Sequence, residues 1–95
     1  MYITSYSFDK ENLLDRETLN VIGEIKNNDT ESADLVKLTA TFYDANNRTL
    51  GNEAAFTDPT TLEPEQSGPF KMTAGFLGNL NVDEIQYVKF HISSQ

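Results

Sequence analysis

Cysteine is absent from this 95-residue chain, which excludes disulfides, thiolate metal ligands and a cysteine nucleophile. That absence leaves the redox compartment open. Basic residues are scarce: seven Lys and Arg stand against fifteen Asp and Glu, for a net charge of −8. No Lys/Arg cluster offsets this acidity, so neither a phosphate backbone nor an anionic lipid surface is an expected partner. No apolar run of about 18 residues and no signal-peptide pattern occurs, so direct membrane insertion by this chain is not expected. His91 is the only histidine. Without a second histidine or a cysteine, a dedicated zinc or copper site is not expected, and His91 reads as a surface or rim residue. No serine sits in a Gly-x-Ser-x-Gly elbow, and the surroundings of Gly75 and Gly78 are not a phosphate loop. No catalytic residue, cofactor-binding residue or metal ligand is expected.

What is present is a β pattern. Hydrophobic residues make up 38% of the chain and aromatics 11%, which suits a globular domain. Residues 1–95 read as one domain, because either half would be too small to build a core. From Val36 the apolar residues alternate: Val36, Leu38, Ala40 and Phe42 face one side, and Lys37, Thr39, Thr41 and Tyr43 the other. Successive side chains of a strand point to opposite faces, so this is the best core strand of the chain.

Other segments repeat the theme. Tyr2, Thr4, Tyr6 and Phe8 alternate with Ile3, Ser5 and Ser7 in a first strand, and Asp9–Glu17 reads as a charged loop, with a short helix capped by Asp9 as the alternative. Leu19–Lys26 is a second strand in which Gly23 marks a bulge or the close approach of another segment. Asn27–Ser32 and Asp44–Arg48 are turns rich in residues that bond to nearby backbone. Thr49–Phe56 reads as an irregular edge strand. Asp58–Pro69 holds all three prolines of the chain and reads as a long crossing loop anchored by Leu62. Phe70, Met72, Ala74 and Phe76 alternate in a fifth strand, and Gly78–Glu84 is a turn-rich linker. Ile85–Ile92 closes the fold, with Val88, Phe90 and Ile92 on one face. The expectation is an antiparallel Greek-key β-sandwich of six or seven strands, which the proline loop favours over a small closed barrel.

Three blocks in order carry a family resemblance. They are Gly23-Glu24-Ile25-Lys26-Asn27-Asn28, the strand ending Ala40-Thr41-Phe42-Tyr43-Asp44, and Leu62-Glu63-Pro64-Glu65-Gln66-Ser67-Gly68-Pro69-Phe70. Across roughly residues 19–92 the chain resembles the FxLYD-type domain. The resemblance implies an immunoglobulin-like or fibronectin-like sandwich of prokaryotic surface or membrane-tethered proteins. It supplies no catalytic residue. Ala40 stands at the place of the first Phe of the namesake motif and Phe42 at that of its Leu, as if the ring had moved along the strand. Glu65 stands where a turn Gly is common, which reads as a turn that does not need a positive φ.

Three features need weighing as sites. Asp44-Ala45-Asn46-Asn47-Arg48 opens like a calcium loop, but that pattern needs Gly at position 49 and Glu at 55, where Thr49 and Ala55 stand. A looser calcium site would draw on Asp29, Asp34 or Asp44. Asn28-Asp29-Thr30 and Asn47-Arg48-Thr49 match the N-glycosylation acceptor pattern in turns. Tyr2, Tyr6, Tyr43 and Tyr87, if half exposed, suit stacking on sugar rings. The leading expectation is a non-enzymatic extracytoplasmic module, a spacer or protein-interaction domain of a surface-associated protein. The alternatives are a small-ligand module, carbohydrate or calcium, using end loops, and least of all a small hydrolase.

Overall fold

Val36, Leu38, Ala40 and Phe42 expose no surface at all, whereas the residues between them stay half-buried. The period-two pattern is therefore expressed as one core face and one half-wet face. The computed structural model describes residues 1–13, 16–74 and 81–95. Among these residues there is no α-helix. The strands are β1 (Tyr2–Leu13), β2 (Arg16–Lys26), β3 (Lys37–Tyr43), β4 (Thr49–Phe56), β5 (Ser67–Ala74) and β6 (Tyr87–Ser93), with a 3-10 turn at Val82–Glu84. They form two antiparallel three-stranded sheets, ordered β1-β2-β5 and β4-β3-β6.

Both sheets draw on one core. Leu19, Val21 and Ile25 of β2 and Phe70, Met72 and Ala74 of β5 join Leu38, Ala40 and Phe42 of β3 in a single buried cluster. Val88, Phe90 and Ile92 of β6 pack against it half-buried, on the face expected of them. Each such aliphatic or aromatic side chain contributes about 1.5–3 kcal/mol on burial. β4 and β5 lie at sheet edges, where the irregular Thr49–Phe56 strand and Pro69 are tolerated. Phe76 and the start of the Gly78–Glu84 linker lie outside the described residues.

One end of the molecule is a clasp between two loops. Leu62 is completely buried, as its isolation between Phe56 and Phe70 predicted, and Ala33 exchanges two backbone hydrogen bonds of 2.9 Å with it. A Cβ at Gly68 would come within 2.7 Å of the Leu62 Cδ2, so Gly68 makes room for that anchor. Asn27 is also fully buried. Its amide Nδ2 donates to the Glu31 and Leu62 carbonyls at 2.9 Å, and its Oδ1 accepts from the Asp29 N–H at 3.0 Å. Its backbone N–H donates to Gln66 O and its carbonyl accepts from Glu65 N–H. By its neighbours in the sequence Asn27 is an ordinary turn residue. It is the polar hub of the clasp.

Three local expectations fail. Asp9–Glu17 is not a loop: β1 runs on to Leu13, β2 begins at Arg16, and the two form a long hairpin. Charge hid this, because a hairpin reaching past the core has no face to make apolar. The alternation Tyr2, Thr4, Tyr6, Phe8 breaks at Thr4, where the register against β2 slips between Ile3 and Ser5. The extra residue turns Ile3 toward the core and pairs Tyr2 with Lys26, since a one-residue slip exchanges the faces. Gly23 marks this place by close approach, not by a bulge in its own strand. A Cβ there would strike the Ser5 carbonyl oxygen and come within 2.8 Å of Phe70 Cζ. Finally, Glu65 does adopt a positive φ, 68°. Its N–H donates to Asn27 O at 2.7 Å and its carboxylate meets Lys26 at 3.2 Å, bonds that hold a conformation usually left to glycine.

Candidate functional site

Tyr2 to Phe8 contains no charge, glycine or proline, and its β-prone residues favour an extended chain. It forms the first half of β1, which pairs with β2 on one side. Among the described residues no strand pairs with the other side. That side presents unpaired N–H and C=O groups, and such an edge is a template for another strand. Large rings stand along it: Tyr2, Tyr6 and Phe8 are 44%, 55% and 44% exposed. Tyr6 and Phe8 meet edge-on at 5.5 Å, and Tyr6 meets Phe90 of β6 at 5.3 Å. An aromatic seam thus spans the edges of the two sheets, geometry that favours ring pairs.

Beside this edge, on the other face of the first sheet, lies an open groove of about 640 Å³. Ile22, Phe56 and Pro69 give it an apolar lining, and Glu24, Asp58 and Lys71 a charged one. Ile22 and Phe56 are 41% and 52% exposed. Neither β1's free edge nor this groove was singled out from sequence, although the uncharged run Tyr2–Phe8 was a legible signal for the first.

The residues weighed earlier are dispersed. Tyr43 and Tyr87 stack on one another at 4.8 Å and 11°, with the Lys89 ammonium 5.4 Å from the Tyr43 ring centre. Tyr87 also donates its hydroxyl to Asn47 Oδ1 at 2.7 Å. These two rings engage each other, while Tyr2 and Tyr6 stay open on β1. His91 is exposed on β6, opposite Thr39 of β3.

The acidic turns are organised for the backbone. Asp44 Oδ1 accepts from the N–H groups of Asn46 and Arg48, both at 2.9 Å, and its Oδ2 lies 3.4 Å from Arg48 Nε. The Arg48 N–H, with smaller help from Asn46 and the guanidinium charge, holds the Asp44 carboxyl below its ordinary range against an opposing desolvation. Asn47 takes a positive φ of 62°, the left-handed conformation its turn required. At the other end Asp29 accepts from Thr30 N–H at 2.7 Å, and Asp34 accepts from the Thr61 hydroxyl at 3.2 Å. Among the described residues no three His, Cys, Asp or Glu side chains converge as a metal site would need. Asn28 and Asn47 are both exposed. No family model, curated protein or solved structure matches the chain.

Proposed function

We propose that the chain is a non-enzymatic protein-interaction module, a β-sandwich of Greek-key, immunoglobulin-like type that works in an extracytoplasmic, surface-associated protein. The observation that carries this reading is the free β1 edge with its exposed rings Tyr2, Tyr6 and Phe8. An open strand edge offers backbone hydrogen bonds, and alternate side chains supply selectivity, which is how sheets recruit extended partners. The sandwich assignment is supported by one core shared between two three-stranded sheets and by the crossings from β2 to β3, β4 to β5 and β5 to β6. Surface location and the FxLYD-type assignment rest on the sequence resemblance.

Photocrosslinking in cells that express the protein tests this. A benzophenone side chain at Tyr6 should give discrete protein adducts, and one at Thr41, on the opposite sheet, should not. Equal labelling from both positions, or none from Tyr6, would overturn the reading. The second reading, a small-ligand module, is favoured by the groove between Ile22 and Phe56. Amide shifts confined to Ile22, Glu24 and Lys71 in a screen of sugars would establish it instead.

A further inference from the structure

We propose that β1 pairs antiparallel with β1 of a second copy of this chain, about a two-fold axis at Ser7. This names the partner of the interaction edge and rests on that reading. The other three edges are guarded. β5 carries Pro69, which offers no N–H, and Asp58 N–H already donates to the Pro69 carbonyl at 3.0 Å. β4 is interrupted by a register shift against Tyr43, and its Glu53 faces the side of buried Ala40, an inward charge that an added strand would enclose. β6 is seven residues long with Lys89 exposed next to its centre. β1 has twelve residues and no charge from Tyr2 to Phe8.

The charges of β1 choose the occupant and the register. Asp9, Lys10 and Glu11 are bunched after Phe8. An axis at Asp9 or Lys10 would set like charges face to face, which destabilises a strand pair. An axis nearer Thr4 would meet the bulge. An axis at Phe8 would oppose Tyr6 with Lys10, whose ammonium is held by Asp83 at 3.2 Å. At Ser7 the central stretch Ser5–Asp9 pairs clear of the bulge: Ser5 faces Asp9, Tyr6 faces Phe8, and Ser7 faces itself. Two cross-strand aromatic pairs then form beside the existing Tyr6–Phe90 contact, and no two charges oppose one another. The pairing joins two chains of −8, so screening their repulsion should tighten it.

Sedimentation equilibrium on the whole chain decides the matter. Wild type should dimerise with a dissociation constant below about 1 mM, and tighten from about 0.05 M to 0.5 M salt. Ser7 is exposed, so S7K and S7E should each fold, as circular dichroism would verify, and each should dimerise more than about tenfold more weakly. Mixed one to one, they should recover a heterodimer. Monomeric wild type at about 1 mM, an S7K chain that associates as well as or better than wild type, or no recovery on mixing would each overturn the proposal. Tyr6 adducts to a different protein alongside a monomeric wild type would overturn self-pairing and leave the interaction-module reading standing.

Discussion

The two ends of the molecule are held by different physics. At the clasp, Leu62, Val36 and Asn27 are fully buried, and the loops 27–36 and 57–66 are tied by backbone and amide hydrogen bonds in a desolvated space. At the opposite end are the β1–β2 hairpin, the Asp44–Arg48 turn and the Val82–Glu84 turn, whose ties are mostly at the surface. Lys10 and Asp83 pair at 3.2 Å with side chains 54% and 64% exposed, Asn81 caps Asp83 at 3.0 Å, and Asp44 bonds to its own turn. Burial contributes kilocalories per residue, whereas exposed ion pairs contribute tenths. The lesson is that one end should resist pH and salt, and the other should answer to both.

The comparison can be broken most severely at Leu62. Leu62→Ala should cost about 2–5 kcal/mol, the lost transfer energy plus the cavity, in a domain whose whole stability is of that order. Urea denaturation measures it, and a loss under about 1 kcal/mol would show that the clasp is not a packed unit. Asn27→Ala should follow at about 2–3 kcal/mol, because it removes three side-chain hydrogen bonds and leaves the fully buried amide site empty. Its effect should appear first as faster amide exchange at Ala33 and Glu65.

At the other end the expected effects shrink. A depressed carboxyl pKa gives stability that is complete above the ordinary aspartate value of 3.8 and is lost as pH falls through the lower folded value. Asp44→Asn should therefore flatten the thermal midpoint against pH below that value while leaving the neutral-pH profile of the clasp unchanged. Lys10→Met should cost under about 0.5 kcal/mol, and less in high salt, since the Lys10–Asp83 pair is exposed. A cost above about 2 kcal/mol would erase the contrast between the ends.

The clasp also shows how much of the fold could be read in advance. The strand at Val36–Tyr43, the Asn47 turn and the anchoring role of Leu62 were legible because each depends on a local rule: period-two alternation, tolerance of left-handed backbone, or a lone apolar residue in a polar loop. Of the candidate site, the uncharged composition of Tyr2–Phe8 and the rings Tyr2 and Tyr6 were legible. That its edge lies open required knowing which strands flank β2.

The sequence by itself determined the β class, the principal core strand and the two Asx-rich turns, since these follow from neighbours a few residues apart. The tertiary structure decided the rest. The hairpin extends through Asp9–Leu13 because β2 offers partners to a segment with no apolar pattern of its own. Thr4 exchanges the faces of Tyr2 and Ile3 because the backbone of Ser5 lies against Gly23. Asn27 is buried, and Glu65 takes φ 68°, because two loops distant in the chain close on each other. Each of these is fixed by hydrogen bonds and contacts between segments far apart in sequence, and no local preference encodes which distant segment will arrive.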